Sequence, residues 1–256
     1  MKFDHTVKAI VSGGVSGLGR AVANKIIAAG GQVAMLDINA EAGAAAQTEL
    51  GERALFIKTD VSSETDVNAA VEQAAKAFGG LNLAVSCAGI LGAGRVLGKN
   101  GPMASNFFAK VIHVNLIGTF NLCKAAAAAM EANAPDADGQ RGLLVNTASV
   151  AAFEGQIGQA AYSASKGGVA SMALPLAREF ARIGVRVMTI APGIFWTPMM
   201  EGMPPEVQES LGKQVPFPSR LGKPEEYADL VASIWENTML NGETIRLDGA
   251  IRMQPK

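Results

Sequence analysis

Short aliphatic runs alternate with alanine-rich helical stretches along nearly the whole chain. A strand that is followed by a helix and then by a second strand forms a βαβ unit, in which the two strands are parallel. The runs are apolar along their length instead of alternating with polar residues, as expected for strands that are buried on both faces. The pattern therefore predicts one doubly wound α/β domain over residues 1–256, with a parallel seven-stranded sheet and helices on both faces.

The limits of the elements follow from hydrophobic spacing and from glycine and proline stops. Strands are predicted at residues 7–11, 32–36, 54–58, 83–87, 143–147, 185–190 and 243–247. Helices are predicted at residues 18–29, 40–50, 64–78, over much of 105–130, and at 160–183 and 224–236, with a bend at Pro175. Two irregular regions, residues 91–104 and 194–221, each follow a strand. Open α/β sheets bind ligands at the carboxyl ends of their strands, so both regions are expected to border a site.

The composition limits the classes of partner. The chain has 22 Lys and Arg against 23 Asp and Glu, and this balance argues against a nucleic-acid partner and against a polybasic membrane patch. No apolar stretch is interpreted as a signal peptide or a membrane-spanning helix. Two cysteines are typical of a reducing compartment, so a cytoplasmic location is predicted. Two histidines are too few for most metal sites, and none is predicted. The low charged fraction, 18%, favours an oligomer.

A glycine-rich segment, SGGVSGLG at residues 12–19, joins the first strand to the first helix. Gly13, Gly17 and Gly19 follow the spacing G-x-x-x-G-x-G. Glycine allows the backbone to approach a pyrophosphate closely, and the following helix offers free N–H groups and the positive end of its dipole. An ordinary glycine-rich turn is the alternative. The position at the start of the first βα unit favours a dinucleotide-binding loop in a Rossmann-like domain.

Carboxylates end the second and third predicted strands. Asp37 can accept hydrogen bonds from the adenosine ribose of NAD, whereas it would repel the 2′-phosphate of NADP. No arginine directly follows it, so NAD is the favoured cofactor. Asp60 can meet the adenine amino group with Val61 against the ring; its alternative role is a helix cap before Glu64. The alternative for Asp37 is an ordinary surface position.

The spacing of Tyr162 and Lys166 places both side chains on one helix face, one turn apart. An ammonium group near a phenol favours the phenolate and lowers its pKa from about 10. Such a tyrosine can exchange a proton with a carbinol near neutral pH. Ser149 follows the fifth predicted strand and can donate a hydrogen bond to a carbonyl or alkoxide oxygen. The three residues therefore predict a substrate site for alcohol and ketone chemistry, although a helix-surface pair is the alternative for Tyr162 and Lys166.

With these motifs in place, the chain resembles the short-chain dehydrogenase/reductase family over essentially its whole length. The matching pieces are the glycine segment 12–19, Asp60-Val61, Cys87-Ala88-Gly89, Asn115, Ser149, Tyr162-x-x-x-Lys166 and Pro192-Gly193. Two positions depart from the usual family pattern: Ser12 replaces a threonine, and Ser86-Cys87 replaces a pair of asparagines that brace the fourth strand.

The resemblance implies a role for each matched position. Tyr162 would be the acid/base, Lys166 would lower its pKa and hold the nicotinamide ribose, and Ser149 would orient the substrate oxygen. Asn115 would be the fourth catalytic residue, holding a water that links Lys166 to solvent. The loop 194–221 would cover the substrate. The residues implied to bind the cofactor are Gly13, Ser16, Gly17, Leu18, Gly19, Asp37, Asp60, Val61, Cys87, Ala88, Gly89, Tyr162, Lys166, Pro192, Phe195 and Thr197.

Within the family, several long runs are similar to members that act on 3-hydroxyacyl-CoA. They lie at residues 139–142, 146–156, 158–168, 186–193, 214–222 and 241–255, whereas residues 91–101 match poorly. The resemblance implies NAD-dependent conversion of a (3S)-3-hydroxyacyl-CoA, including short or 2-methyl-branched chains, in fatty-acid or branched-chain amino-acid breakdown. It also implies a homotetramer. The alternatives are a dehydrogenase of hydroxysteroids or other apolar alcohols, and a non-catalytic NAD-binding scaffold.

Overall fold

The centre of the protein is a parallel sheet of seven strands, seen in a computed structural model that describes residues 2–99, 101–197, 200 and 205–255. Its strands are β1 Lys8–Ser12, β2 Gln32–Asp37, β3 Ala54–Lys58, β4 Leu83–Ser86, β7 Gly142–Thr147, β8 Val185–Pro192 and β9 Thr244–Leu247. Two further strands, β5 Leu97–Gly98 and β6 Gly101–Pro102, form a small antiparallel hairpin. The predicted fold class and the predicted parallel sheet are confirmed.

The strand order is β3-β2-β1-β4-β7-β8-β9. The chain moves outward from β1 to β3, returns to place β4 beside β1, and then moves outward on the other side. This reversal opens a crevice beyond the carboxyl ends of β1 and β4, which is the usual ligand position in such sheets.

Helices cover both faces of the sheet. They are α1 Gly17–Ala28, α2 Ala40–Leu50, α3 Glu64–Phe78, α4 Ser105–Ile112, α5 Gly118–Glu131, α6 Ala160–Phe180, α7 Pro205–Lys213 and α8 Pro224–Glu236. One apolar cluster packs α1 and α8 against the sheet through Val22, Ile26 and Trp235. A second cluster packs α3, α5 and α6 on the opposite face, where Val67 and Leu122 are buried. The core therefore lies on both sides of the strands and fixes their carboxyl ends as a rigid edge.

Several predicted elements need correction. The predicted irregular region 91–104 contains the β5–β6 hairpin, and the predicted irregular region 194–221 contains α7. Helix α7 has Glu206 in its first turn and Lys213 in its last, and Lys213 pairs with Glu209 at 2.7 Å, an arrangement that favours a helix. The predicted helix over 105–130 is divided by a π-helical turn at His113–Ile117. Pro175 lies inside α6, which runs unbroken from Ala160 to Phe180.

The helical stretch Ser105–Glu131 is long and apolar enough to cross a membrane by length and composition alone. The expectation that no segment meets that criterion is therefore wrong for this stretch. Half of its most apolar window is buried inside the protein. Asn115 and Asn121 lie on its buried side, where Asn121 Nδ2 donates to the Val61 carbonyl at 3.0 Å. The stretch is thus packed as a core helix of the domain.

Candidate functional site

Two adjoining cavities open at the carboxyl ends of the strands. The larger, of about 760 Å³, is lined by the loop after β1 and by the ends of β2, β3 and β4; we call it the glycine-loop cavity. The smaller, of about 350 Å³, is lined by Ser149, Tyr162 and Lys166; we call it the tyrosine cavity. Leu18, Cys87, Gly89, Ile90 and Thr197 line both cavities, so the two form one continuous cleft.

The loop after β1 is shaped by glycines, and any other residue at these positions would displace the neighbouring backbone. Gly13 has φ +64°, and a Cβ at this position would lie 2.8 Å from the Ala88 backbone nitrogen. A Cβ at Gly19 would lie 2.2 Å from the Gly13 carbonyl oxygen. The loop therefore packs tightly between β1, β4 and α1, and it presents bare backbone to the cavity.

Helix α1 begins without the side-chain cap that the neighbouring helices have. Its N-cap is Ser16, which makes no capping hydrogen bond to the described residues, and its first turn carries no acidic residue. By contrast, Asn39 caps α2 and Ser63 caps α3. The first N–H groups of α1 and its positive dipole end therefore remain available to an anion. This helix end, the bare loop and the cavity volume together fit the pyrophosphate of a dinucleotide.

Two carboxylates border the glycine-loop cavity, as the sequence predicted. Asp37 ends β2, and its Oδ1 accepts a hydrogen bond from the Asn39 backbone N–H at 3.1 Å. Asp60 accepts from both the backbone N–H and the hydroxyl of Ser62, at 2.9 and 2.7 Å. The alternative role of Asp60 as the cap of α3 is wrong, because Ser63 fills that position. Asp60 instead fixes the turn that carries Val61 into the cavity.

The side chains of Tyr162 and Lys166 lie close together and both line the tyrosine cavity. Lys166 Nζ is 5.9 Å from the centre of the Tyr162 ring and donates a hydrogen bond to the Thr147 carbonyl at 2.7 Å. Ser149 Oγ accepts from the Ala151 backbone N–H at 3.1 Å, and its hydroxyl is hydrogen-bonded to Tyr162. The end of β7 and the first turns of α6 thus bring the three predicted residues to one site.

Burial dominates the ionisation of this group in the protein without ligands. It raises the pKa of Tyr162 above 10.0, and only a hydrogen bond with Ser149 acts in the opposite direction. Burial also lowers the pKa of Lys166 from 10.5 to about 8. The prediction that Lys166 lowers the pKa of Tyr162 is therefore wrong for this state. The ammonium group points at the Thr147 carbonyl, and desolvation of the phenol outweighs its charge.

A buried polar network lies beneath both cavities. Thr147 Oγ1 is 2.7 Å from the hydroxyl of Tyr227, a fully buried residue of α8, and 3.6 Å from Cys87 Sγ. Burial raises the pKa of the Cys87 thiol, so this thiol is protonated at neutral pH. Because the carbonyl of the same Thr147 holds Lys166, the network fixes the floor of the site. The sequence offered no signal for Tyr227, which is about 80 residues from Thr147.

Asn115 stands behind the cavities instead of lining them, as far as the described lining residues extend. Its side chain exchanges two hydrogen bonds with the backbone of Ile90, at 2.8 and 2.9 Å, and donates to Ser165 Oγ at 3.0 Å. It sits in the π-helical turn between α4 and α5. Asn115 therefore ties the segment after β4 to α6, next to Lys166.

All the other residues predicted from the sequence border the cleft. The glycine-loop cavity is lined by Gly13, Ser16, Gly17, Leu18, Gly19, Asp37, Asp60, Val61, Cys87, Ala88, Gly89 and Thr197. The tyrosine cavity adds Pro192 and Phe195. Met200, from the loop predicted to cover the substrate, also lines it, whereas Met199 and Met203 lie outside the described residues. Leu211, from the same predicted loop, lines the tyrosine cavity as well. Lining residues that sequence reasoning missed are Gln156, Gln159 and Met253 in the tyrosine cavity and Lys110 and His113 in the glycine-loop cavity.

Comparisons with known proteins agree with this site. The family model described as short chain dehydrogenase matches residues 7–208. A Bos taurus protein called 3-hydroxyacyl-CoA dehydrogenase type-2 is 53% identical over 249 residues, covering 96% of this chain and 95% of its own. The Homo sapiens protein of the same name is also 53% identical, with the same coverage.

A solved structure extends the agreement to three dimensions. The chain superposes on the crystal structure of 3-hydroxyacyl-CoA dehydrogenase type-2 from Mycobacterium avium with a TM-score of 0.94. The two sequences are 43% identical, and the match covers 100% of each chain. The chain belongs to the short chain dehydrogenase family and is an oxidoreductase that uses a nicotinamide cofactor.

Proposed function

We propose that the protein interconverts a (3S)-3-hydroxyacyl-CoA and the corresponding 3-oxoacyl-CoA with NAD as the cofactor. The observation that carries the proposal is the placement of Ser149, Tyr162 and Lys166 in a cavity that is continuous with the glycine-loop cavity. The substrate class is supported by the names of relatives that are 43–53% identical over nearly the full length.

The cofactor preference is supported by Asp37. Its carboxylate lines the glycine-loop cavity at the carboxyl end of β2, where the ribose hydroxyls of NAD would bind. A 2′-phosphate at that position would face a negative charge. The uncapped amino end of α1 would take the pyrophosphate, and Val61 would lie against the adenine ring.

The chemical roles follow from the hydrogen-bonding capacity of each group. When bound, the nicotinamide supplies or accepts the hydride. Tyr162, held as a neutral phenol by burial, donates a proton to the oxygen of a ketone during reduction and takes it back during oxidation. Ser149, which is hydrogen-bonded to Tyr162 in the protein without ligands, would donate a hydrogen bond to the same oxygen. Lys166 would hold the cofactor ribose with its ammonium group, and Asn115 would position Lys166 through its hydrogen bond to Ser165 of α6.

An apolar secondary alcohol such as a hydroxysteroid is the second candidate substrate class. It is supported by apolar side chains that line the tyrosine cavity, among them Leu91, Met200, Leu211 and Met253. A CoA thioester would place only its acyl chain there and leave its charged part outside. A non-catalytic scaffold would have no use for a tyrosine, a lysine and a serine on one cavity wall.

A substrate panel tests the proposal. Acetoacetyl-CoA, 3-oxodecanoyl-CoA and a 3-oxosteroid are each supplied with NADH, and the absorbance at 340 nm is followed. We expect kcat/KM for the CoA thioesters to exceed that for the steroid by at least about tenfold. A preference for the steroid would favour the second candidate, and no turnover of any substrate would favour the scaffold.

We also propose a homotetramer. The proposal is supported by large apolar side chains that are more than a third exposed on α4, α5 and α6. They are Phe107, Phe108, Phe120 and Leu174, together with Ile117 in the π-helical turn. Exposed apolar patches of this kind mark contacts between proteins. Light scattering coupled to gel filtration should give about four times the 26.4 kDa mass of the chain, and a monomer mass would contradict the proposal.

A further inference from the structure

The last residues of the chain return to the tyrosine cavity. After β9 the backbone turns sharply at Ala250, which has φ +68°, a conformation that non-glycine residues rarely adopt. Asp248 holds this turn by accepting from the Ala250 backbone N–H at 2.9 Å. Residues 251–255, which we call the C-terminal strap, follow this turn, and Met253 forms part of the wall of the tyrosine cavity.

The C-terminal strap is fixed at both ends. Ile251, at its start, is 1% exposed. At its end, the Pro255 carbonyl accepts from the Ile157 backbone N–H at 3.0 Å, and the Gln254 carbonyl accepts from Gln156 Nε2 at 3.0 Å. Gln156 also lines the cavity. The strap is therefore attached to the segment between Ser149 and Tyr162.

Glu154 is the central anchor of the strap. Its carboxylate pairs in bidentate fashion with Arg246 of β9, at 2.8 and 3.0 Å, and lies 3.3 Å from Arg252 Nε. It also accepts a hydrogen bond from the Met253 backbone N–H. Bidentate arginine–carboxylate pairs are among the strongest and most directional ion pairs in proteins. Glu154, five residues after Ser149, thus holds the backbone of Met253 in place together with the contacts at the two ends of the strap.

Further apolar lining of the tyrosine cavity comes from Leu91, Met200 and Leu211. Met253 lines the same cavity as Ser149 and Tyr162, the residues that would hold the reacting oxygen. A methionine is unbranched and flexible, so it can fit chains of different shape. At this position, Met253 would contact the carbon chain of the substrate but not its charged part.

We propose that Met253 is a specificity-determining residue that selects the length of the acyl chain, and that Glu154 positions it by anchoring the C-terminal strap. This inference rests on the proposed function, because it takes the acyl chain of a CoA thioester as the group that occupies the tyrosine cavity beside Met253. A longer chain needs the space that the Met253 side chain fills, whereas a four-carbon chain benefits from contact with it.

The test compares Met253→Ala with Met239→Ala, a matched control in which the methionine is 91% exposed and lies outside the cavity lining. For each protein, kcat/KM is measured with acetoacetyl-CoA and with 3-oxodecanoyl-CoA at saturating NADH. We expect Met253→Ala to change the ratio of the two values by about tenfold in favour of the longer chain, as for the loss of an apolar contact in a hydrophobic pocket. Met239→Ala should leave the ratio within twofold of the wild type.

Two further variants separate positioning from folding. Glu154→Gln, which removes the charge that holds the strap, should shift the ratio in the same direction as Met253→Ala while the Kd for NADH stays within twofold. Met253→Leu, of similar volume, should restore most of the wild-type ratio. If Met253→Ala lowers kcat/KM equally for both substrates while NADH affinity is unchanged, the inference about Met253 is overturned but the proposed function is not. Absence of turnover of both CoA thioesters by the wild type would overturn the proposed function together with the inference.

Discussion

The glycine-loop cavity and the tyrosine cavity adjoin each other but are assembled differently. The first is built mainly from residues that directly follow β1, β2, β3 and β4, within the first 90 residues of the chain. The second combines the segment after β7, the start of α6, the segment after β8, α7 and the C-terminal strap. The comparison shows that the dinucleotide part of the site is encoded locally, whereas the substrate part depends on contacts between distant segments.

The two cavities also differ in what constrains them. Backbone packing fixes the glycine loop, where an added Cβ would overlap with backbone atoms. Side-chain contacts fix the tyrosine cavity, through the Lys166–Thr147 hydrogen bond and the Glu154–Arg246 pair. Changes in the first should therefore abolish binding of the cofactor, whereas changes in the second should alter stability, pH dependence or selectivity.

The largest effect on cofactor affinity is expected for Gly19→Val. The new side chain would overlap with the Gly13 carbonyl, since a Cβ alone would lie 2.2 Å from its oxygen. We expect the affinity for NADH to fall about a hundredfold, or about 2.7 kcal/mol, and the free energy of unfolding to fall by about 3 kcal/mol. Fluorescence titration with NADH and urea unfolding measure the two effects.

The control for Gly19→Val is Gly98→Ala in the β5–β6 hairpin. In the described part of the chain, no atom outside its immediate neighbours would lie closer than 3.7 Å to the added Cβ. NADH affinity and stability should stay near wild type. Normal NADH binding by Gly19→Val would contradict the view that backbone packing shapes the glycine-loop cavity.

Lys166→Met should separate stability from activity. Lys166 is 5% exposed, and burial lowers its pKa from 10.5 to about 8, so its charge destabilises the folded state at pH 7. Removing the charge should raise the free energy of unfolding by about 1–3 kcal/mol, although the Thr147 carbonyl loses its partner. Ketone reduction should be nearly lost, because the cofactor ribose loses its ammonium partner.

The pH dependence checks the cause of this stabilisation. As the pH rises from about 8 to 10.5, the folded wild type releases the proton that the unfolded chain keeps, so the advantage of Lys166→Met should disappear over this range. Lys76→Met, at an exposed position on α3, is the control and should change stability little. A destabilised Lys166→Met at pH 7 would show that the ammonium group supports the fold.

Asp37→Ala should alter selectivity between cofactors without affecting the tyrosine cavity. Loss of the carboxylate removes the repulsion of a 2′-phosphate, so the ratio of kcat/KM for NADPH to that for NADH should rise about tenfold, equivalent to about 1.4 kcal/mol. Asp138→Ala, at an exposed position outside the described lining of the cavity, provides a control. Unchanged selectivity in Asp37→Ala would remove Asp37 from cofactor recognition.

The smallest effect is expected in the pH profile of the wild type. Lys166 loses its charge at about pH 8 in the free enzyme, so kcat/KM for reduction should fall about threefold between pH 7.5 and 8.5. The pKa of Tyr162 lies above 10.0, so its titration does not contribute in this range. Lys166→Arg should move the decline to higher pH. A wild-type profile that is flat up to pH 9 would show that the charge of Lys166 does not control the rate of reduction.

The difference between the two cavities also explains what the sequence could predict. Each glycine-loop residue stands next to a strand end, so alternating elements and glycine spacing were enough to place Gly13, Asp37 and Asp60. Ser149 was predictable for the same reason, and Tyr162 and Lys166 were predictable from their helical spacing. Met253 and Tyr227 were not, because each reaches the site through packing with segments 80 or more residues away.

The electrostatics of the site was the least predictable feature. Helical spacing correctly placed Tyr162 and Lys166 together, yet the direction of the Tyr162 pKa shift depends on burial, which spacing does not give. The π-helical turn at Asn115 could not be predicted either, because the hydrophobic spacing of its residues is that of an ordinary α-helix. Spacing predicts proximity, whereas ionisation and hydrogen-bond direction require the packed structure.

The most direct measurement compares the two tyrosines of the chain. NADH oxidation with acetoacetyl-CoA is followed at 340 nm for Tyr162→Phe and Tyr227→Phe, with NADH affinity measured in parallel. If Tyr162 transfers the proton, its variant binds NADH normally while kcat falls about a thousandfold, and Tyr227→Phe keeps at least about a tenth of the wild-type rate. A Tyr162→Phe enzyme with near wild-type turnover would contradict the account.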